Sequence, residues 1–423
     1  MKSNYRKIGD FINLVDERNK GLKVTNLVGL SISKQFIKSV ANTIGTDMEN
    51  YKIIRKNQFA CSTMQVRRDK KMPLALYNDS EPAIISQAYP VFEISDTSQL
   101  LPEYLMMWFT RSEFDREACF HAVGGVRGSL EWEDFCGMQL PIPSLEKQQE
   151  IVREYHTIQN RIALNNQLIS KLEETAQAIY KQWFVEFEFP FVTSSGVEMP
   201  YKSNGGKMVW CEELEKEIPE GWEVVNLDEM IEVKYGKDYK NLEKGNIPLY
   251  GSGGVMGYVN DFLYDKPSIL IPRKGSLNNI LFLNIAFWSV DTMFYSILKK
   301  EYNGCYVYFY LIAMDFYSLN VGSAVPSMTT NYLNKMRIIK PLKSVLKGFD
   351  KLIRELFNQI NSRKHQNQKL EELKDSCDSD VFLEGRMENF YSWQDQALPD
   401  WRLSVHFRRF VLEAIWSGKS RKG

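Results

Sequence analysis

Apolar residues recur at alternating steps of four and three along the stretch that begins at Ile151. The positions are Ile151, Tyr155, Ile158, Ile162, Asn165, Ile169, Leu172, Ala176, Ile179 and Trp183. This spacing predicts a helix over residues 151–184 with the seam of a left-handed coiled coil. A buried asparagine in such a seam typically fixes the register of the paired helices, which is the role predicted for Asn165. An amphipathic helix packed on its own domain is the alternative interpretation.

A second seam of the same kind lies near the end of the chain and predicts a helix within residues 342–384. Its members are Phe349, Ile353, Leu356, Ile360, Arg363, Asn367 and Leu370. The seam loses its apolar character further on, where Lys374 takes the place of an apolar residue. Because the apolar start of this helix complements the apolar end of the first, the two are predicted to pair antiparallel within one chain.

Both helices belong to an internal repeat with a constant offset of 198 positions. The offset superposes Ser129 on Ser327, Met138 on Met336, Pro143 on Pro341, Asn160 on Asn358, Ile162 on Ile360, Phe184 on Phe382, and the KLEE run at 171–174 on that at 369–372. One ungapped register over about fifty-five residues indicates a duplication. A chain built twice is expected to perform some task twice.

Two globular segments precede the helices, and the organisation predicts an α+β fold. Residues 1–143 alternate strand-like runs such as YPVFEI with turns and contain a helical run, LPEYLMMWFTRSEFDREA. Residues 222–341 are rich in strands and aromatic side chains. The first helix occupies 144–190, and a connecting segment rich in Gly, Ser and Pro follows at 191–221. The second helix occupies 342–384, and a basic, aromatic tail closes the chain at 385–423.

Composition restricts the class of protein only moderately. The 53 basic residues balance 53 acidic ones, so the net charge gives no indication of a nucleic-acid partner. Six scattered cysteines without a CxxC pair argue against a zinc site and favour free thiols in the cytoplasm. The start of the chain lacks the apolar core of a signal peptide. The most apolar run, LFLNIAFWSV, is broken by Asn284, which predicts a buried strand rather than a membrane span.

Recognisable catalytic motifs are missing from the sequence. There is no GxxxxGK[ST] phosphate loop, no GxSxG and no HExxH. The run GSGGVMG at 251–257 has the wrong spacing for a dinucleotide fingerprint, so a tight turn is predicted there. The aromatic residues of YKQWF, Tyr180–Phe184, are predicted to cap a helical core, with contact to a partner as the alternative. These observations favour a non-catalytic role.

Several of these runs together resemble the specificity (S) subunits of type I restriction-modification systems. The resemblance rests on QLPIPSLEKQQEIV, KLEETAQAIYKQWF and FEFPF…YKSNGGKMVW…IPEGWE, and in the second globular segment on IPLYGSGGVMGY, LIPRKGS and FWSVDTMFYSI. It covers about residues 1–384. The tail, with seven Lys/Arg against four Asp/Glu, departs from the family pattern. It is interpreted as an altered reading-frame ending without function, or as a partner-binding or DNA-contacting addition.

The resemblance implies two target-recognition domains related by a pseudo-twofold axis and joined by an antiparallel coiled coil. Each domain would read one half of a split, asymmetric site in double-stranded DNA. The helices would space the domains and dock methyltransferase (M) subunits, two of them, with restriction (R) subunits joining through the complex and no membrane involved. The chain itself would bind no cofactor, since S-adenosylmethionine, ATP and Mg²⁺ would belong to partner subunits. The competing hypothesis is a coiled-coil scaffold with protein-binding globular ends.

Candidate DNA-binding residues are polar or cationic side chains predicted at turns, because base reading needs donors and acceptors and phosphate contact needs Lys or Arg. In the first domain they are Arg67, Arg68, Lys70, Lys71 and, with less support, Gln87. In the second they are Tyr250, Ser252, Arg273, Lys274, Ser276 and Asn278. A solvated basic loop is the alternative interpretation for the first group, and a packed strand residue is the alternative for Gln87.

The length of the first helix suggests a ruler between the two half-sites. Residues 151–184 would span about 50 Å at 1.5 Å per residue, enough for at most roughly fifteen base pairs. Because the globular domains overhang the helix ends, about one helical turn of DNA between half-site centres is expected.

Overall fold

The computed structural model describes residues 5–39, 45–124, 128–193, 196–316 and 328–384, with side chains described as far as Lys374 in the last helix. Ser327 of the repeat and the predicted tail at 385–423 lie outside these residues, and the Phe382 side chain is likewise not described. The described residues form two compact units: those within 1–162 together with those from 368 onward (unit 1), and those within 163–367 (unit 2). Both unit boundaries fall within the two long helices.

Unit 1 is built around a four-stranded antiparallel sheet of order β2-β9-β6-β7. Two shorter antiparallel ladders, β3-β4 and β5-β8, lie within the same unit, and β1 pairs with β10. The elements are β1 (Tyr5–Lys7), β2 (Ile12–Val15), β3 (Val28–Leu30), β4 (Phe36–Lys38), β5 (Lys52–Ile54), β6 (Phe59–Cys61), α1 (Val66–Asp69), β7 (Leu74–Leu76), β8 (Ala83–Ile85), β9 (Val91–Ile94), α2 (Pro102–Thr110), α3 (Ser112–His121), α4 (Trp132–Gly137), β10 (Gln139–Pro141) and α5 (Leu145–Tyr180).

The core of unit 1 lies between this sheet and helices α2–α4. Phe59 of β6 and Phe92 of β9 stack at 5.0 Å, and Phe109 of α2 contacts both rings edge-on. The run predicted as one helix, LPEYLMMWFTRSEFDREA, is divided into α2 and α3. The break falls at Arg111, which has extended backbone angles (φ −69°, ψ 144°). The bend lets both helices bury an apolar face on the same core.

Unit 2 repeats this plan with a four-stranded antiparallel sheet of order β16-β22-β19-β20 beside a three-stranded sheet of order β18-β17-β21. Its elements are β11 (Pro190–Val192), β12 (Glu198–Pro200), β13 (Met208–Cys211), β14 (Lys216–Pro219), β15 (Glu223–Asn226), β16 (Ile231–Tyr235), β17 (Lys244–Gly251), β18 (Gly254–Val259), β19 (Ser268–Pro272), β20 (Leu281–Leu283), β21 (Trp288–Ser289), β22 (Met293–Leu298), α6 (Gly304–Ile312), α7 (Thr330–Asn334), β23 (Arg337–Lys340) and α8 (Lys343–Glu384).

The duplication extends into the globular segments, although their sequences do not align. The β1-β10 ladder pairs Tyr5 with Pro141, and the β15-β23 ladder pairs Val224 with Ile339, 198 positions after Pro141. The turn that follows is also repeated: the Ile8 amide donates to the Met138 carbonyl at 2.8 Å, and the Leu227 amide donates to that of Met336 at the same distance. The two copies therefore share the same ladder and the same turn before the first strand of the four-stranded sheet.

The LFLNIAFWSV run does not form the single buried strand that was predicted. Its first part is β20, in the four-stranded sheet, and its later part contains β21, in the three-stranded sheet. Asn284, which breaks the apolar run, is exposed where the chain passes from one sheet to the other. No helix among the described residues is both long and apolar enough to cross a membrane.

The segment predicted as a connection, 191–221, carries two β-hairpins, β11-β12 and β13-β14. Phe189, just before it, stacks on Tyr201 at 4.5 Å and on Trp222 at 5.1 Å, which fixes the first hairpin against the start of the second globular segment. The connection is therefore a folded part of unit 2.

The residues of both predicted seams lie on α5, on the turn that directly follows it and on α8, and each of them is buried or half-buried. Within unit 2 the helices run antiparallel. Asn165 meets Asn367, the Glu173 carboxylate lies 3.5 Å from the Lys364 ammonium, and the rings of Trp183 and Phe349 are 5.7 Å apart. Within unit 1, the Lys374 ammonium lies 5.9 Å from the Tyr155 ring.

The YKQWF end of the first helix forms a π-helical turn, Lys181–Val185, and its aromatic rings are part of the core of unit 2. Phe184 is buried and lies 4.5 Å from Tyr306 and 4.8 Å from Phe349, while Tyr180 stacks on Phe309 at 5.5 Å. These contacts place the aromatic rings in the core, as the core-capping interpretation predicts.

Candidate nucleic-acid interface

The two polar loops predicted to contact DNA occupy the same connection in their respective sheets. The first joins β6 to β7, and the second joins β19 to β20. Near its start, each loop accepts a hydrogen bond from one of the first residues of the repeated sequence. The Leu130 amide donates to the Thr63 carbonyl at 2.9 Å, and the Met328 amide, 198 positions later, donates to the Arg273 carbonyl at 2.8 Å. The fold thus presents two loops of different sequence from equivalent positions.

The loop of the first domain contains the short helix α1, which carries Arg67 and Arg68 in exposed positions. Arg67 donates to the Gly124 carbonyl at 3.2 Å, and Arg68 donates twice to its neighbour Asp69, at 2.6 and 3.1 Å. Hydrogen bonding from Arg68 lowers the pKa of the Asp69 carboxyl. Lys70 and Lys71 are also exposed, and neither has an ion pair with any residue that the structure describes. They are the cations of this loop most available to a phosphate.

A buried ion pair holds the far end of this loop. The Lys34 ammonium and the Asp115 carboxylate are 2.8 Å apart with side chains only 6% and 9% exposed. The same carboxylate oxygen accepts the Met72 amide at 3.1 Å, and Lys34 also donates to the Phe109 carbonyl. Burial lowers the pKa of the Lys34 ammonium, and the hydrogen bond to Asp115 opposes that shift. The pair links the β3-β4 hairpin, α3 and the basic loop.

The loop of the second domain is attached at both of its ends. Arg273 is half-buried, its amide donates to the Thr292 carbonyl at 2.9 Å, and its guanidinium donates to the Asp291 carbonyl at 3.2 Å. At the other end, the Asn279 side chain donates to the Ser252 carbonyl at 2.9 Å. Ser252 itself lies in the tight turn between β17 and β18, as predicted. Two of the predicted DNA-binding elements are therefore in direct contact.

Lys274, Ser276 and Asn278 are exposed on this loop, whereas Leu277 between them is 1% exposed. Gly275 has φ +83°, a backbone conformation that residues with a side chain rarely adopt. A Cβ at this position would lie 3.1 Å from the Ser252 hydroxyl. The loop is thus a fixed structure that projects alternate side chains.

Tyr250 was predicted at a turn, and this placement is wrong. It lies within β17, is 8% exposed, and packs with Phe287 and Leu270 in the sheet core. This end of β17 is buried on both faces, because Leu249 and Tyr250 are both buried and pack in different apolar clusters. Gln87 is exposed in the turn between β8 and β9, so the alternative of a packed strand residue does not hold, although its contact with DNA stays a prediction.

Sequence reasoning missed Tyr235, at the end of β16. Its side chain is 51% exposed, the Arg273 guanidinium lies 5.3 Å from its ring, and its hydroxyl is 3.4 Å from that of Thr330. An exposed aromatic residue followed by glycine at the end of an alternating strand is the signal that could have indicated it. Among the described residues, no group of three or more His, Cys, Asp or Glu side chains could hold a metal ion.

These features define a duplicated α+β protein in which each globular domain presents a polar loop and is followed by a long helix. The chain belongs to the type I restriction modification DNA specificity domain family, whose sequence profile matches residues 3–174 and 219–374. It is similar to the MjaIX specificity subunit of Methanocaldococcus jannaschii, with 25% identity over 307 residues, covering 66% of this chain and 67% of the relative.

Two further relatives span more of the chain. The HindI specificity subunit of Haemophilus influenzae is 22% identical over 397 residues, covering 77% of this chain and 85% of the relative. Among solved structures, a type I restriction-modification S subunit from M. genitalium shares the fold with a TM-score of 0.56 and 16% identity, covering 90% of this chain and 96% of that one.

Proposed function

We propose that this chain is the non-catalytic DNA-specificity subunit of a type I restriction-modification complex. Each globular domain reads one half of a bipartite, asymmetric site. The observation that carries the proposal is the pair of exposed polar loops in equivalent sheet connections, one at Arg67–Lys71 and the other at Arg273–Asn278. Family membership supports the same conclusion.

The loops differ in the chemistry that they offer to DNA. The first carries a dense cationic group, which suits contact with phosphates and with the O6 and N7 acceptors of guanine. The second carries one exposed lysine together with hydroxyl and amide side chains, which suits reading of base edges. A duplicated scaffold with unlike loops is what recognition of two different half-sites requires.

The helices supply the spacing and the partner contacts in this proposal. Leu164 and Leu168, one turn apart on α5, are 46% and 37% exposed although both are apolar. Two leucines are less than a full apolar patch, but they lie on a helix that the proposal makes the docking element, and we assign them to the contact with a methyltransferase subunit. Two such subunits would bind one chain, with restriction subunits joining through them. S-adenosylmethionine, ATP and Mg²⁺ would be held by these partners.

The test is methylome sequencing of a host that expresses this chain together with its methyltransferase subunit. A bipartite motif with two unlike halves is expected. The competing hypothesis, a scaffold that binds proteins through its globular ends, predicts no motif. It also predicts no specific DNA affinity, whereas a DNA reader should lose affinity steeply as salt rises.

A further inference from the structure

The loop between β19 and β20 contains two kinds of residues. Some pack or hydrogen-bond within the domain, and the others are exposed and can contact a ligand. Arg273, Leu277 and Asn279 are engaged within the domain, through the Asp291 carbonyl, the buried core and the Ser252 carbonyl respectively. Lys274, Ser276 and Asn278, which alternate with them, are exposed. The chain turns within this loop, because Gly275 has φ +83° and the Asn279 amide donates to the Ser276 carbonyl at 3.1 Å, so what these three side chains share is their exposure.

Arg273 is the most obvious base reader of the loop, since an arginine can select guanine by a bidentate contact. It is only half-buried, but its guanidinium already donates to the Asp291 carbonyl at 3.2 Å and lies 5.3 Å from the Tyr235 ring. It is therefore less available to a base than the exposed side chains beside it. Its position beside the ring and the backbone suits a residue that sets the course of the loop.

Among the exposed side chains of the loop, Asn278 is the one best suited to read a base edge. Its side-chain amide makes no hydrogen bond to any residue that the structure describes, and it is exposed on a loop fixed by its neighbours on both sides. An asparagine amide presents one donor and one acceptor in the geometry that pairs with N7 and N6 of adenine in the major groove. The Ser276 hydroxyl can donate or accept and so discriminates little. Lys274 is a point charge suited to a phosphate.

We infer that Asn278 selects an adenine in the half-site read by the second domain, that Lys274 contacts a phosphate, and that Arg273 is a positioning residue for both. This assignment rests on the proposed function. It requires no movement of the loop backbone, because Arg273, Leu277 and Asn279 already hold it.

The experiment compares the recognition motif of the wild-type chain with that of Asn278→Ala and Asn278→Asp, each expressed with the methyltransferase subunit. Asn278→Ala should relax one adenine position in one half-site, with discrimination falling by on the order of ten- to a hundredfold, and should leave the other half-site unchanged. Asn278→Asp should shift the preference at that position towards cytosine, whose N4 amino group donates to a carboxylate. Both variants should keep the wild-type melting temperature, since the Asn278 side chain is exposed.

Lys274→Ala is the matched control on the same loop. It should weaken binding to every sequence alike and leave the motif intact. A wild-type bipartite motif that Asn278→Ala leaves unchanged would overturn the inference while the proposed function stands. Relaxation of both half-sites, or of a position other than adenine, would overturn it as well. A wild-type complex without any bipartite motif would overturn the proposed function itself and the inference with it.

Discussion

Asn165 and Asn367 face each other across the two long helices of unit 2, with the Asn165 amide nitrogen 2.8 Å from the Asn367 side-chain oxygen. Asn367 in turn donates to Asn166 at 2.8 Å. Asn165 is 1% exposed, so its amide depends on this partner within an otherwise apolar seam. Such a contact favours one alignment of the helices, because any other alignment would leave a buried amide unpaired.

Replacing Asn165 alone by leucine should lower the stability of unit 2 by about 1–3 kcal/mol, since the Asn367 side-chain oxygen loses its donor. The double variant Asn165→Leu/Asn367→Leu should recover most of that loss. Urea unfolding followed by far-UV circular dichroism measures both changes. Asn361→Leu, an exposed position on α8, is the control and should be nearly neutral. Additive effects of the two seam substitutions would show that the asparagines do not act as a pair.

The buried pair of Lys34 and Asp115 should be far more sensitive than surface pairs on the same helix. Lys34→Met leaves the Asp115 carboxylate buried, with the Met72 amide as the one remaining donor among the described residues, and should cost about 3–5 kcal/mol. The exposed pair of Arg116 and Glu113 on α3 is the control, because its side chains are 72% and 46% exposed. Removing Arg116 should cost less than about 1 kcal/mol. Equal losses from both substitutions, measured by urea unfolding, would contradict a structural role for the buried pair.

The lysines of the first-domain loop should determine the salt dependence of DNA binding. If Lys70 and Lys71 each meet one phosphate, their joint replacement by alanine should make the slope of log affinity against log salt shallower by about 1.8. Lys171→Ala removes another exposed cation, on α5, where it pairs with Glu174, and should leave the slope unchanged. Fluorescence anisotropy with a duplex carrying the recognised site, titrated at several salt concentrations, measures the slope. The same slope for all three proteins would exclude phosphate contact by this loop.

The sequence was sufficient for features that depend on local periodicity. The seams of α5 and α8, their antiparallel pairing in unit 2 and the apolar strand at Ser268–Pro272 follow from the spacing of apolar residues. The exposed loop residues Lys274 and Asn278 were also recognisable, because a Gly and polar residues follow that strand.

Features that depend on distant parts of the chain were not predictable in this way. The equivalence of the two four-stranded sheets is a property of strand order, which the sequence of each strand does not encode locally. The Lys34–Asp115 pair joins residues 81 positions apart. Tyr250 was predicted at a turn because three glycines follow it within four positions. Strand β17 nevertheless continues to Gly251, so the Tyr250 side chain stays in the core.

Because Tyr250 lies in the core, it is not expected to contact DNA, although the sequence predicted that it would. Tyr250→Phe should leave the recognition motif and DNA affinity unchanged, because the ring is 8% exposed and packs on Phe287. Tyr250→Ala should destabilise unit 2 by about 3–5 kcal/mol through the cavity it creates. Methylome sequencing and thermal unfolding separate the two effects. If Tyr250→Phe changed the recognition motif without lowering the stability, Tyr250 would have to contact DNA.

The lengths of α5 and α8 should set the distance between the two half-sites. Each helix is continuous, with 36 and 42 residues respectively, and a straight helix grows by about 1.5 Å per residue. Inserting four residues into each helix adds about 6 Å, so the preferred spacer should lengthen by one or two base pairs at about 3.4 Å each. Methylome sequencing of the variant reads the spacer directly. Four residues added instead to the β13-β14 turn lengthen the chain without lengthening a helix and should leave the spacer as it was. An unchanged spacer after the helix insertions would show that the helices do not act as the ruler.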